Sequence, residues 1–284
     1  MSVHEKALVT PDRLAQLMLA GQCIIVDCRF DLGNSNKGRQ DYLAGHIPCA
    51  HYAHLGADLS SPITTTSGRH PLPAPDAFAA FLSHIGWVDS KLLVAHDDRN
   101  SAIAARLWWL MRYFGHAAAL LDGGLDAWVR AGLPLEPGAV KSAASPVPVM
   151  HADAAMIVST ANILDDLGRS SLTLVDARAT ERYSGAVEPL DTRAGHIPGA
   201  LNRPFSLNLD ETGCFKQAQQ LRMEFHALLQ QRSLESIVHS CGSGVTACHN
   251  RFAMELAGMG ASRIYPGSWS EWVRDESRPI ETSI

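Results

Sequence analysis

Ser236-Ile237-Val238-His239-Ser240, Cys241-Gly242-Ser243-Gly244-Val245-Thr246, and Ala247-Cys248-His249-Asn250-Arg251-Phe252-Ala253-Met254-Glu255-Leu256-Ala257-Gly258 follow one another without a break. The first stretch is short and apolar, and predicts the end of a strand. The last has helical composition and stops at a glycine, which predicts a helix. Cys241 therefore falls at a strand–loop–helix turn, just ahead of a helix N-terminus. Two glycines let the loop curl until successive N–H groups converge. The helix dipole adds partial positive charge at the same point. Such a turn stabilises an anion on sulfur, and Cys241 is the candidate nucleophile. Gly242, Gly244, Val245 and Thr246 are the candidate substrate-binding residues of this loop.

Around this turn the chain repeats itself. Ile25-Val26-Asp27-Cys28-Arg29 matches Leu174-Val175-Asp176-Ala177-Arg178. Ala44-Gly45-His46-Ile47-Pro48 returns as Ala194-Gly195-His196-Ile197-Pro198. Ala127-Trp128-Val129-Arg130 matches Glu271-Trp272-Val273-Arg274. The anchors keep the same order in each half. In the first half, Thr10-Pro11 caps a helix running to Gly21. Strands are predicted over 23–29, 91–96 and 117–121, and helices over 77–85, 102–114 and 125–131. This alternation predicts an α/β fold, each half a mainly parallel sheet with helices on both faces. The small, Pro-rich run Lys141-Ser142-Ala143-Ala144-Ser145-Pro146-Val147-Pro148 reads as a linker. The expected domains are 1–140 and 151–284, joined by 141–150. Recurrence of His46 and His196 in both halves marks a structural turn. Trp108, Trp109, Trp128, Trp269 and Trp272 are expected in the core. Cys248 is expected to pack on its helix.

Composition narrows the function. The 284 residues carry 46% hydrophobic and 19% charged residues and a net charge of −5, which speaks against nucleic-acid binding. No apolar run is long enough to cross a bilayer. Met1-Ser2-Val3-His4-Glu5-Lys6 has no apolar signal region. The six cysteines show no dense disulfide spacing and no paired metal-ligand spacing, so a reducing, cytoplasmic setting and no metal are expected.

Cys241-Gly242-Ser243-Gly244-Val245-Thr246-Ala247-Cys248-His249 resembles the active-site loop of the 3-mercaptopyruvate sulfurtransferases, in the rhodanese superfamily. Through the repeat the resemblance extends to tandem rhodanese-like domains over nearly the whole chain. It implies that Cys241 carries sulfur as a persulfide, without a cofactor. The donor would be 3-mercaptopyruvate. The acceptor would be cyanide or a thiol, either small or on a thioredoxin-like protein. Aligning the halves places Asp97 opposite Cys241, so the first domain is expected to be non-catalytic. Arg182, in Glu181-Arg182-Tyr183-Ser184-Gly185, matches the family's substrate-binding arginine. A second family arginine falls near Leu190, and Arg193 is the neighbouring candidate for the same space. Ser243 and His70, in Gly68-Arg69-His70-Pro71-Leu72-Pro73, resemble two members of a proton-handling set. The acid of that set falls on Gly56, with Asp58 the nearby candidate.

Three rivals remain at this level. Thiosulfate sulfurtransferases share the repeat but typically carry basic residues in the cysteine loop, whereas this loop is uncharged. A cysteine phosphatase needs an arginine six residues after the cysteine, where Ala247 stands. A non-catalytic sulfur-relay or interaction module is disfavoured by the intact Cys241.

Overall fold

The computed structural model describes residues 7–141, 143–169 and 171–283. Met1 to Lys6 and Ser142 of the linker lie outside them. The chain divides into two units. The first takes residues through Ser61, then Leu72–Asp153 and Glu211–Phe215. The second takes Pro62–Pro71, Ala154–Asp210 and the residues from Lys216 onward. The division therefore departs from a single cut at 141–150. Two short segments cross over, and hydrogen bonds explain one of them. The Arg69 amide donates to Ser270 Oγ at 3.0 Å, and Arg274 Nε donates to the Ser67 carbonyl at 3.2 Å.

In the first unit the strands are β1 (Leu8–Val9), β2 (Cys23–Asp27), β3 (His51–Tyr52), β4 (Leu92–His96) and β5 (Ala118–Leu121). Helices α1 (Pro11–Leu19), α2 (Lys37–Ala44), α3 (Pro75–His84), α4 (Ala104–Tyr113) and α5 (Gly124–Arg130) fall between and after them. α1 begins where expected, with Thr10 Oγ1 accepting the Arg13 amide and Pro11 in the first turn. The sheet runs β1-β5-β4-β2-β3, every pairing parallel. Ile25, Val94, Ala119, Leu121 and Trp128 meet in its core.

The second unit repeats the plan with α6 (Thr160–Asp166), β6 (Thr173–Asp176), α7 (Thr180–Ser184), β7 (Leu201–Asn202), α8 (Ala218–Leu229), β8 (Ile237–Ser240), α9 (Thr246–Leu256), β9 (Arg263–Ile264) and α10 (Ser268–Trp272). Its sheet runs β7-β6-β8-β9, again parallel, with Leu174 in register with Val238. A lone parallel bridge from Ile157 to Ile264 stands where β1 stands in the first unit. Leu174, Ile197, Val238, Trp269 and Trp272 form the core.

The sequence anchors do the same work twice. Arg29 Nη2 reaches Asp27 and the Gly45 carbonyl, both at 2.7 Å; Arg178 Nη2 reaches Asp176 at 2.6 Å and the Gly195 carbonyl at 2.8 Å. His46 stacks on Tyr42 and His196 on Tyr183, with centroids 4.2 and 3.8 Å apart. Trp128 and Trp272 each donate an indole N–H to a proline carbonyl just beyond their helices, Pro134 and Pro279. The recurring residues are struts of each unit. No described helix is long and apolar enough to cross a membrane.

Candidate active site

In the second unit β6 and β8 lie side by side, while the chain leaves β6 to build β7 on the other flank. The strand order reverses there. In open parallel sheets the crevice beyond the carboxyl ends at such a switch point is where ligands bind. Cys241 emerges from β8 at this place, and the Asp176-to-Arg182 segment emerges from β6.

The Cys241 loop is bracketed by the turn that enters α10, residues 266–270. The Cys241 amide donates to Ser268 Oγ at 3.1 Å. The Cys241 and Gly242 carbonyls accept from the amides of Trp269 and Ser270, at 3.0 and 2.8 Å. Gly244 has φ +75°, and a Cβ there would stand 2.3 Å from the Pro266 carbonyl oxygen, so no larger residue fits. Cys241 is 2% exposed, at the base of the loop. Among the described residues, the amides of Gly242, Ser243 and Val245 have no acceptor. They lie just before Thr246 opens α9, where a helix N-terminus favours negative charge.

The first unit shows what this turn holds. Asp97 follows β4 as Cys241 follows β8, and its side chain is wholly buried. Its carboxylate accepts the amides of Arg99, Ser101, Ile103 and Ala104, each at 2.8 Å. The strand–loop–helix turn is thus an anion cradle already filled by its own carboxylate. That group has no nucleophilic sulfur.

Ser243 and His70 are brought together. His70 Nδ1 lies 2.8 Å from Ser243 Oγ, and the two residues are 7% and 8% exposed. His70 sits in Pro62–Pro71, which belongs to the second unit and not, as expected, to the first. Gly68 allows this segment to press on the turn that enters α10: a Cβ there would stand 2.6 Å from the Gly267 carbonyl oxygen. Asp58 belongs to the first unit, where its carboxylate accepts the His54 amide at 2.7 Å.

Arg182 is placed at the loop; Arg193 is not. A Cβ on Gly242 would stand 3.5 Å from Arg182 Nη1 and 3.7 Å from Nη2. The Arg193 guanidinium instead donates to the carbonyls of Glu276 and Arg278, both at 3.2 Å. The closest cation to Gly242 is Arg69, whose Nη2 would stand 2.9 Å from the same Cβ. Sequence reasoning passed over Arg69, although it adjoins His70. It also passed over two carboxylates. Arg182 Nη2 reaches Glu188 at 2.6 Å and Asp191 at 3.4 Å. Arg69 Nη1 pairs with the other oxygen of Asp191. Arg178 reaches Glu188 at 3.3 Å and lies over the Trp269 ring. Burial pushes the Asp191 carboxyl above its usual range, against the pull of Arg69.

The rhodanese-like domain family matches residues 10–131 and again 159–275. The chain belongs to the rhodanese-like family, with two such domains in tandem. A Pseudomonas aeruginosa protein named "Probable 3-mercaptopyruvate sulfurtransferase" is 44% identical over 97% of this chain and 98% of its own length. A Mycobacterium tuberculosis protein that carries a thiosulfate sulfurtransferase name is 36% identical over 99% of this chain and 98% of its own. The solved 3-mercaptopyruvate sulfurtransferase of Leishmania major superposes with a TM-score of 0.81 at 30% identity, covering 94% of this chain and 74% of that one.

Proposed function

We propose that the protein is a sulfurtransferase that takes sulfur from 3-mercaptopyruvate onto Cys241 and passes it to a thiol or to cyanide. The observation that carries this reading is the His70–Ser243 pair, two residues along the loop from Cys241. Attack of the Cys241 thiolate on the donor sulfur forms an S–S bond and breaks the donor's C–S bond. The electron pair leaves as the enolate of pyruvate, which needs a proton. Ser243 Oγ supplies it and His70 restores it. The donor's own thiol proton stays on the outer sulfur. The free loop amides hold negative charge on sulfur before and after transfer. An acceptor thiolate or cyanide then attacks the outer sulfur, and the Cys241 thiolate departs. Arg182 binds the donor's carboxylate. Six free cysteines fit a reducing compartment, and a cytoplasmic protein with a small-thiol or thioredoxin-like acceptor follows from that.

Thiosulfate is the second reading, favoured by the two guanidiniums beside Gly242. They bring to the site the positive charge that the loop lacks. Thiosulfate, however, leaves behind sulfite, a stable anion, and gives the His70–Ser243 pair nothing to do. The deciding measurement is kcat/KM for each donor with one acceptor at equal pH and salt. A higher value for 3-mercaptopyruvate is expected. A higher value for thiosulfate reverses the donor assignment.

A further inference from the structure

Arg69 and Arg182 approach Gly242 from different parts of the chain, and one carboxylate ties them together. One oxygen of Asp191 pairs with Arg69 Nη1, and the other lies 3.4 Å from Arg182 Nη2. Asp191 has 6% of its side chain exposed, so the group between the two cations is a desolvated carboxylate. The pairing is imperfect. Each guanidinium keeps a buried Nε–H with no acceptor among the described residues. A cavity of about 160 Å³ opens beside the pair, lined in part by Arg69, Asp191, Ser270 and Arg274.

From this we infer that Arg69 is the second donor-binding arginine, and that Asp191 holds the donor carboxylate's place until the donor arrives. The inference rests on Cys241 as the sulfur-accepting thiol. Glu188 holds Arg182 from one side at 2.6 Å, and the two guanidiniums share Asp191 on the other, a geometry that suits a carboxylate. In the free protein that carboxylate is internal. A bound donor takes its place between Arg69 and Arg182, and Asp191 swings toward the cavity, where Arg274 offers a replacement cation. The exchange swaps one ion pair for another, so the arginines are never left buried and unpaired. It also gives the chain a specificity element that lies outside the cysteine loop. An anion must outcompete Asp191 to enter, whereas a neutral reagent need not.

Two readouts on Arg69→Ala, Arg69→Lys and Asp191→Asn test this. The first is KM for 3-mercaptopyruvate. The second is the rate at which iodoacetate alkylates Cys241 divided by the rate for iodoacetamide, an anion compared with its neutral analogue. Losing a charge-assisted contact in Arg69→Ala should raise KM about tenfold and lower the ratio severalfold; the ratio cancels any change in Cys241 reactivity common to both reagents. Arg69→Lys should fall between the two proteins. Asp191→Asn should lower KM and raise the ratio, a direction that misfolding cannot imitate. If Arg69→Ala leaves both readouts within about twofold of wild type, the inference is overturned. A raised KM with an unchanged ratio overturns it too, because Arg69 would then only brace the loop. Should the wild type turn over thiosulfate and not 3-mercaptopyruvate, the donor proposed above falls, and the alkylation ratio alone decides the role of Arg69.

Discussion

His70 Nδ1 stands 2.8 Å from the hydroxyl oxygen of Ser243, although 173 residues separate them in the chain. The hydroxyl belongs to the loop that holds Cys241, and the imidazole arrives on a segment that leaves the first unit to join the second. In the proposed mechanism this pair serves the leaving group and not the thiol. His70→Gln and Ser243→Ala should each lower kcat for 3-mercaptopyruvate by about a hundredfold, the usual worth of a positioned proton donor. Turnover of thiosulfate, whose leaving group needs no proton, should not change. Equal losses with both donors would remove the relay from the mechanism.

Cys241→Ser should reduce sulfur transfer to background, and donor alone should no longer add a sulfur atom to the protein by mass spectrometry. Cys248→Ser should keep most of the activity. Its thiol is buried and donates to the Gly244 carbonyl at 3.4 Å, a role that a hydroxyl can take. A Cys241→Ser protein that still accepts sulfur from the donor would place the nucleophile elsewhere.

Gly244→Ala combines a left-handed backbone with a Cβ 2.3 Å from the Pro266 carbonyl oxygen. It should cost at least about 2 kcal/mol and displace the amides of the cradle. A lower melting temperature together with lost sulfur transfer is the expected pair of results. Wild-type values for both would mean that the two loops separate freely.

Asp97→Asn leaves the first-unit cradle with one acceptor oxygen where there were two. The new NH2 group would face amides that now donate to Asp97 Oδ1 or Oδ2. A loss of about 3 kcal/mol is expected in urea unfolding, since buried donors go unanswered. A midpoint within error of wild type would show that the carboxylate's charge and geometry are dispensable.

His239 lies wholly buried on β8, with Nε2 3.0 Å from Ser262 Oγ. Burial, with help from Arg251 and Arg203, pushes its pKa down to about 3, from 6.5 for the exposed group. Between those two values the unfolded chain binds a proton that the folded chain refuses. Stability is therefore lost as pH falls through that window, by up to about 1.4 kcal/mol per pH unit from this group. His239→Gln should flatten the part of the acid slope that His239 contributes, measured as urea midpoints at about pH 7 and about pH 4.5. Parallel slopes for the two proteins would show that His239 takes up its proton without unfolding.

Much of the fold was legible in the sequence. The expected strand over 91–96 is Leu92–His96, and the helix over 102–114 is Ala104–Tyr113. The repeated Asp-x-Arg and Gly-His-Ile-Pro anchors proved to be matching struts in the two units. Less could be read of α2, whose polar residues carry no clear apolar stripe, and of the two-residue strands, which are too short to show a period. Arg193 was expected near the donor because it neighbours Leu190, where the family's second arginine falls. Three residues further along an irregular loop, its side chain points to the carbonyls of Glu276 and Arg278.

Chain order alone establishes the strand–loop–helix turn at Cys241, the doubled α/β plan and the carboxylate in the first cradle. These depend on backbone freedom at glycine, on apolar periodicity and on the identity of one side chain, all of which are local. Packing decided the rest. It placed residues 62–71 in the second unit, set His70 against Ser243, and brought Arg69 to Gly242 with Asp191 between it and Arg182. Charges and rings far apart in the chain meet according to how loops settle on a finished sheet, and no local spacing records that.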